Sequence, residues 1–300
     1  MRVAVVTTSF PVGQRDPSGH FVQAEVVELE RKGADVTVIR PEPGGAFGWP
    51  GAASRLRERP WRAFEAAAWT ARAAARLRAC CPDRVVAHWS LPSAWPIALT
   101  GAPGVDLEVV SHGADVRLLV AMPRVVRTRI VSGIASSASR WRFVSAALLD
   151  DLASACGSED AEHLRRIAVV APSALTMLDV REEAAAHRRA IADRRLYVCA
   201  GRLVASKRVD RVIDYVASAT GERRHDRVLV VVGDGPERAR LEQLARRWGM
   251  DVRFIGKRSR RDTLAWLGAA DEIVHASRAE GLSTVVREAE HLGVPVTVLT

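Results

Sequence analysis

The chain has 300 residues, of which 48% are hydrophobic, so it can bury the cores of two domains of ordinary size. Its 44 basic residues exceed its 35 acidic ones by 9, a balance that favours phosphorylated small molecules or an anionic membrane as partners. Zinc-finger spacings and RNA-binding motifs are absent, which argues against nucleic acid, and the four cysteines form no C-x-x-C pair, which suits a reducing cytoplasm.

The amino-terminal stretch MRVAVVTTSFP predicts a buried parallel strand at residues 3–8 and lacks the long apolar region of a signal peptide. It is followed by a loop, by a helix over 20–32 that begins after Gly19 and ends at Gly33, and by a strand at 36–39, which together make a βαβ unit. Dinucleotide binding gets little support, because no G-x-G-x-x-G stands in that loop. No apolar run approaches the ~20 residues of a membrane-spanning helix, so we expect a cytoplasmic protein.

An alanine-rich, strongly helical segment lies at residues 61–80, where four arginines alternate with Trp61, Phe64 and Trp69. Such a helix can lie on an anionic membrane surface with its aromatic side chains inserted. More commonly, a helix of this kind covers a domain and buries one face. Peripheral contact with the inner face of the membrane is therefore kept as a hypothesis, which a second basic stretch at 124–142 favours.

The strands predicted next in the chain lie at 84–88, 107–111, 141–145 and 167–170. The second of them ends in S-H-G-A-D, which places His112 at the carboxyl end of a parallel strand, where such sheets bind ligands. We therefore take His112 as a candidate site residue, the alternative being an incidental imidazole in a helix-capping segment. His88, at the end of the preceding strand, is predicted to pack or to form a loop hydrogen bond.

The second half of the chain alternates strands with helices, after a segment at 173–190 that predicts a hinge and a connecting helix. A buried strand at 196–200 runs into G-R-L-V-A-S-K, so Arg202 and Lys207 flank one strand-to-helix loop where a diphosphate could bind. A solvated basic loop is the alternative. The later G-D-G-P segment follows the strand at 228–232 and predicts a special backbone geometry.

The last stretch, EIVHASRAEGLSTVVREAEHLGVPVTVLT, has the pattern strand, loop, helix and strand. Glu280 lies in the loop, and Glu288 lies on the helix roughly 7 Å past the expected cap Ser283. Between the two carboxylates, the N–H groups of a helix N-terminus offer a phosphate site, and each carboxylate can accept bonds from paired hydroxyls. This order of groups suits a nucleoside diphosphate sugar, whereas a surface helix with ordinary glutamates is the alternative.

These segments resemble those of a known family. E-G-L-S-x-x-x-x-E followed by G-V-P-V resembles the E-x7-E segment of retaining glycosyltransferases of the GT-B fold, in the large family 4 group known as glycosyl transferases group 1. G-R-L-x-x-x-K resembles the diphosphate-binding pair of that group, and H-G-x-D resembles the segment whose histidine contacts the donor sugar. The group usually has proline where this chain has Ser283, which also caps a helix well.

The resemblance implies an α/β protein of the GT-B fold, with two Rossmann-like doubly wound parallel-sheet domains facing a cleft. We expect an acceptor-side domain at 1–172, a linker at 173–190 and a nucleotide-sugar domain at 191–300. In the family, the chain continues with helices that cross back onto the first domain. Here it stops at Thr300, so a short or truncated second domain is expected.

The resemblance also implies a hexosyltransferase-type enzyme that uses neither metal nor cofactor. It would transfer a sugar from a nucleoside diphosphate sugar to a hydroxyl acceptor, which could be lipid-linked, a polysaccharide or a natural product. Glu280 and His112 are the expected catalytic residues, and the expected substrate-binding residues are Gly19, Arg202, Lys207, Gly281, Leu282, Ser283 and Glu288. Two alternatives stay open: a sugar-nucleotide epimerase, which needs no acceptor, and a non-catalytic protein that binds nucleotide sugar without turnover.

Overall fold

The computed structural model describes residues 1–13, 16, 18–48, 52–219, 226–277 and 282–299. Along this part of the chain, two compact α/β units can be distinguished, with the main division between Ala174 and Leu175. Each unit has its own parallel sheet and its own hydrophobic core.

The first unit alternates strands and helices in the pattern that a parallel sheet requires. In chain order its elements are β1 (Arg2–Val6), α1 (His20–Arg31), β2 (Asp35–Ile39), α2 (Ala52–Glu58), α3 (Arg62–Cys80), β3 (Arg84–His88), an irregular segment Ser90–Ala98 that continues into the single turn α4 (Leu99–Gly101), β4 (Asp106–Ser111), α5 (Ala114–Ala121), α6 (Arg124–Ser137), β5 (Arg140–Phe143), α7 (Ala146–Ala155), α8 (Ser158–Ile167) and β6 (Ala168–Val170).

The six strands of the first unit are all parallel and lie in the order β2-β1-β3-β4-β5-β6. Side chains alternate between the two faces of β1, so that Val3 and Val5 pack in the core under α1. Ala4 and Val6 face the larger core on the other side, which Trp141 and Phe143 also fill. The sheet is thus buried on both faces, which explains why its strands have continuous apolar sequences.

The second unit repeats this alternation with five strands. Its elements are α9 (Arg181–Ile191), β7 (Arg195–Ala200), the short 3₁₀ turn Ala205–Lys207, α10 (Val209–Ser218), β8 (Arg227–Val232), α11 (Arg238–Trp248), β9 (Asp251–Gly256), α12 (Arg260–Ala269), β10 (Glu272–Ala276), α13 (Thr284–Leu292) and β11 (Val296–Leu299). The parallel strand order is β11-β10-β7-β8-β9.

Most boundaries differ from the sequence-based ones by one or two residues, because strand ends depend on pairing partners that the sequence does not display. The predicted first strand, 3–8, ends at Val6. Within the range predicted as a linker, 173–190, the later part belongs to α9, whose Ala184 and Ile191 pack in the core of the second unit. Helices α5 and α6 were not predicted as separate elements.

Both sheets reverse their strand order once, and these reversals mark where ligands bind to open parallel sheets. In the first sheet the reversal lies between β1 and β3, because β2 lies on one side of β1 and the later strands lie on the other. In the second sheet it lies between β7 and β10. We therefore expect a ligand-binding site in the loops at the carboxyl ends of these strands. Among the helices of the described ranges, none is both long and apolar enough to cross a bilayer.

Candidate functional site

The loop that follows β7 carries two of the predicted cations and is fixed by backbone hydrogen bonds. The Gly201 N–H donates to the Val232 carbonyl at 2.9 Å, and the Leu203 N–H donates to the Asp234 carbonyl at 2.9 Å. The Leu203 side chain is completely buried, whereas Arg202 beside it is exposed. The apolar residue therefore anchors the loop in the core, while Arg202 lies on the surface at the carboxyl edge of the sheet.

The G-D-G-P segment after β8 supports this loop from beneath, and two of its residues must be glycine. A Cβ on Gly233, whose φ is +142°, would stand 1.8 Å from the Gly201 carbonyl oxygen. A Cβ on Gly235, whose φ is +158°, would stand 2.4 Å from the Leu203 carbonyl oxygen. Since real Cβ atoms never approach oxygen this closely, both glycines allow the two loops to pack backbone against backbone.

Lys207 ends the 3₁₀ turn Ala205–Lys207 and is half-buried. Its ammonium group influences titratable side chains on both strands of the reversal. Burial and, to a lesser extent, the Lys207 charge together lower the pKa of His275, on β10, to about 4. Burial raises the pKa of the Cys199 thiol, on β7, to about 12, and Lys207 opposes that shift. The ammonium group is thus within electrostatic reach of the carboxyl ends of both strands.

The loop after β10 meets the loop after β7 through a hydrogen bond in which the Ser277 hydroxyl donates to the Ser206 carbonyl at 3.4 Å. Further along, Ser283 caps α13 as predicted, because its Oγ accepts a hydrogen bond from the Val286 N–H at 3.4 Å. Leu282 is 39% exposed beside this helix start. The predicted site residues Glu280 and Gly281 lie outside the described residues.

Glu288 lies on α13 and is only 1% exposed. Its Oε1 accepts a hydrogen bond from Nη1 of Arg260 at 2.5 Å, and Nη2 of the same arginine donates to the Thr176 carbonyl at 3.0 Å. The carboxylate is therefore held by a charged partner on α12 that the sequence did not reveal. Binding of a ribose by Glu288 remains a prediction.

Gly19 caps α1 at the carboxyl edge of the first sheet, with a φ of +66°. A Cβ there would stand 2.2 Å from the Ser9 carbonyl oxygen, so the close approach of two parts of the first loop explains the glycine. Contact of Gly19 with a ligand remains a prediction.

His112 follows β4 and lies in a group of rings. Its Nε2 is 3.0 Å from Nδ1 of His88, and the two rings stack at a centroid distance of 5.3 Å. Phe21 and Trp89 pack against the same imidazole with centroid distances of 4.7 and 4.9 Å. Trp89 itself has a φ of +73°, a strained value for a residue other than glycine and one that is often found at functional sites.

Asp115, the last residue of H-G-A-D, fixes the backbone around His112. The side chain is 3% exposed, and Oδ1 accepts hydrogen bonds from the N–H groups of His112 and Gly113 at 3.1 and 3.0 Å. Oδ2 accepts from the N–H and the hydroxyl of Ser90 at 2.8 and 2.9 Å. A buried carboxylate with four donors is rigidly held, so the turn that carries His112 is well defined.

A chain of charged side chains runs from His88 across the sheet. Glu25, on α1, lies 3.8 Å from Nε2 of His88 and forms an ion pair with Arg142. Arg142 Nε also donates to Glu108 at 2.9 Å, and Glu108 pairs with Arg84. His88 is buried and hydrogen-bonded to the loop residue His112, as predicted. The sequence did not identify its partners, because nothing in it pairs a residue of one strand with a residue that follows the next.

The imidazoles of His88 and His112 are both neutral near pH 7. Burial lowers the pKa of each ring to about 3, and the neighbouring Arg142 charge acts in the same direction. Across the described residues, no three His, Cys, Asp or Glu side chains are grouped so that they could hold a metal ion.

The second half of this chain is similar to a known family of glycosyltransferases. Residues 180–299 match the family model described as Glycosyl transferases group 1. An alpha-D-kanosaminyltransferase from Streptomyces kanamyceticus is 29% identical over 234 residues, which are 73% of this chain and 60% of that protein. The putative teichuronic acid biosynthesis glycosyltransferase TuaC from Bacillus subtilis is 26% identical over 324 residues, which are 99% of this chain and 80% of the relative.

Solved structures give the fold of the whole chain. HepE from Anabaena, in complex with UDP and glucose, superposes with a TM-score of 0.66 at 18% identity, over 99% of this chain and 80% of HepE. The catalytic domain of starch synthase IV from Arabidopsis thaliana, bound to ADP and acarbose, gives a TM-score of 0.68 at 15% identity, over 99% of this chain and 82% of that one. The predicted fold class is confirmed: both units are parallel-sheet α/β domains of the GT-B type.

Proposed function

We propose that this chain is a retaining glycosyltransferase that transfers a sugar from a nucleoside diphosphate sugar to a hydroxyl group of an acceptor. The observation that carries the proposal is the strand reversal between β7 and β10. There the loop with Arg202 and Lys207 adjoins the loop that leads to α13, and the Ser277–Ser206 hydrogen bond connects the two. Open parallel sheets bind phosphorylated ligands at such reversals.

In this proposal, Arg202 and Lys207 bind the diphosphate and stabilise the negative charge that develops on the leaving group. Backbone N–H groups of Gly281, Leu282 and Ser283 contact sugar and phosphate at the start of α13, where the helix dipole favours an anion. The half-buried position of Lys207 supports this role, because partial exclusion of water strengthens its attraction for phosphate.

The sugar and the ribose are assigned to the remaining predicted residues. Glu280 holds sugar hydroxyls and stabilises positive character at the anomeric carbon, whereas Glu288 binds the ribose. His112 positions the sugar, and Gly19 lets the first loop approach the donor or the acceptor. The rigid turn around His112, fixed by Asp115, supports a positioning role because a ligand-contacting group gains from being held in place before binding.

We also propose that α3 lies against an anionic membrane surface at the cytoplasmic face. Residues spaced by three and four along the exposed face of this helix are apolar, namely Trp61, Phe64, Ala68, Ala71 and Ala75. Phe64 is 81% exposed and Trp61 54% exposed, and exposed arginines of the same helix flank this face. Exposed aromatic side chains beside cations suit the interfacial region of an anionic bilayer.

The test starts from binding and proceeds to transfer. UDP, GDP, ADP and dTDP are titrated into the protein by calorimetry, and the corresponding nucleotide sugars are then incubated with hydroxyl acceptors. We expect one nucleotide to bind and its sugar to be transferred, with the anomeric configuration retained in the NMR spectrum of the product.

Lys207→Ala should reduce both binding and transfer at least tenfold, since one charge-assisted contact to phosphate is lost. Lys32→Ala, at an exposed lysine paired with Glu28 on α1, is the matched control. Isomerised nucleotide sugar without acceptor would instead identify an epimerase. Binding without turnover against every acceptor would identify a non-catalytic protein.

A further inference from the structure

A pair of imidazoles lies at the carboxyl edge of the first sheet. His88 ends β3, and the strand register places it beside Val110, two residues before His112, so that both rings are on the same face. Nδ1 of His88 and Nε2 of His112 are 3.0 Å apart, which is a hydrogen-bond distance. One nitrogen must therefore carry the hydrogen and the other must be bare.

The direction of this hydrogen bond follows from the groups at the far ends of the two rings. Because burial keeps both imidazoles neutral, each has one N–H and one bare nitrogen. Nε2 of His88 is 3.8 Å from a carboxylate oxygen of Glu25. At this distance Nε2 makes no hydrogen bond, but the charge of the carboxylate favours an N–H over a lone pair there, and therefore favours a bare Nδ1 on His88.

This tautomer of His88 determines that of His112. The bare Nδ1 of His88 accepts a hydrogen bond from Nε2–H of His112, which leaves Nδ1 of His112 as a bare acceptor. The Ser173 hydroxyl, 3.4 Å from that nitrogen, is the kind of donor that it accepts. Glu25 is itself held by Arg142, so the series from Arg142 to His112 is a continuous chain of contacts.

We propose that His88 is a positioning residue that holds His112 as the Nε2–H tautomer, so that His112 Nδ1 accepts a hydrogen bond from a hydroxyl group of the bound sugar in place of the Ser173 hydroxyl. The contact with the sugar rests on the proposed function, whereas the tautomer does not. A bare nitrogen selects a hydroxyl over a carboxylate or a methyl ether at that position, since neither of those can donate. His88 thereby contributes to donor specificity from beneath the ring that it orients.

The tautomer is measured on the full chain without any ligand. Protein labelled with ¹⁵N at histidine is studied at pH 7 by long-range ¹H–¹⁵N correlation, and the His112 signals are assigned by their loss in His112→Asn. We expect a protonated Nε2 and a bare Nδ1. A protonated Nδ1 on His112 in the wild-type protein would overturn the proposal.

Three variants separate positioning from simple packing. His88→Asn keeps an acceptor, its amide oxygen, near the position of Nδ1, so we expect the wild-type tautomer of His112. His88→Phe removes the acceptor, so we expect a mixture of tautomers. Should His88→Phe fail to fold by circular dichroism, Glu25→Gln removes the carboxylate while leaving the ring pair in place, and it too should shift His112 towards the mixture. An unchanged tautomer in each folded variant refutes the role of His88.

The ligand arm uses UDP-glucose and UDP as probes in calorimetry. We expect His88→Phe to weaken the binding of UDP-glucose about tenfold and to leave the affinity for UDP unchanged, because only the sugar loses a hydrogen-bond partner. His88→Asn should bind both as the wild-type protein does. If wild-type protein shows the expected tautomer but binds neither UDP-glucose nor UDP, the uridine donor is refuted and the tautomer assignment is supported. Equal weakening of both probes in His88→Phe would refute the sugar contact.

Discussion

Gly233 lies so close to Gly201 that a Cβ on the former would stand 1.8 Å from the carbonyl oxygen of the latter. The two residues follow neighbouring strands, β8 and β7, and the Gly201 N–H also bonds to the end of β8. The loop that carries Arg202 and Lys207 is therefore shaped by the loop after the next strand. A change beneath the proposed diphosphate site can thus alter it without touching a ligand.

Gly233→Ala should lower the free energy of unfolding by about 2–4 kcal/mol, since the methyl group forces the two backbones apart and φ is unfavourable for alanine. Urea unfolding measures this loss, and calorimetry should show weaker nucleotide binding in the folded fraction. Gly249→Ala is the matched control: its φ is +63° and no atom lies within 4 Å of the added Cβ. We expect that variant to lose only about 1 kcal/mol and to bind nucleotide normally. Equal losses in the two variants would contradict the packing explanation.

Lys207→Ala should raise the pKa of His275 while leaving it below that of a solvated histidine. The Lys207 ammonium group repels the protonated form of His275, and the substitution removes that repulsion. Burial, which is the larger cause of the low pKa, remains. Titration of the His275 signals by NMR measures the shift, with Lys32→Ala as the control that should not change it. A diphosphate bound at Lys207 should have the same effect on the wild-type protein. An unchanged His275 pKa in both experiments would show that the Lys207 ammonium group does not lie near His275.

Stability should fall as the pH decreases from about 6.5 towards 4.5. His88, His112 and His275 have folded-state pKa values of about 3, 3 and 4, below the ordinary value of 6.5. In this window the unfolded chain binds protons that the folded one does not, so each ring contributes a slope of up to about 1.4 kcal/mol per pH unit. Urea unfolding at several pH values measures the total slope. His88→Asn should show a smaller slope, and a flat profile would mean that these rings titrate normally.

Removal of one partner from the Arg260–Glu288 pair should cost about 3–5 kcal/mol, because the charge that remains loses its ion-pair partner at a site with little access to water. Arg260→Met and Glu288→Met are compared with the double variant by urea unfolding. The double variant should be more stable than the less stable single variant. Simple additivity of the two losses would show that the pair is not coupled.

Substitution of Trp61 and Phe64 by serine should abolish cosedimentation with phosphatidylglycerol vesicles, because exposed aromatic side chains supply the apolar part of the interfacial contact. Vesicles of phosphatidylcholine alone should bind the wild-type protein weakly, since they lack negative charge. Val27→Ser, at a residue 44% exposed on α1, is the control for loss of surface apolarity. Undiminished sedimentation of the double serine variant would exclude α3 as the contact.

The sequence by itself determined the alternation of strands and helices and therefore the fold class. Strands buried on both faces must be apolar along their whole length, as in the RVLVVV of β8, so they are visible without any structure. Ser283 and Gly293 mark the ends of α13 because helix termini have local hydrogen-bonding needs that particular residues meet. Likewise, the loops after β4 and β7 could be selected as candidate sites, since the carboxyl ends of parallel strands share one edge.

Only the tertiary structure decided which distant residues meet. His88 and His112 are 24 residues apart, and Arg260 and Glu288 are 28 apart, so no local spacing relates them. Their contacts depend on strand register and helix packing, which set positions to within an ångström, whereas sequence patterns specify only faces and ends. The close approach of Gly233 to Gly201 arises in the same way, and for that reason a glycine that looks like an ordinary turn residue proves to support the neighbouring loop.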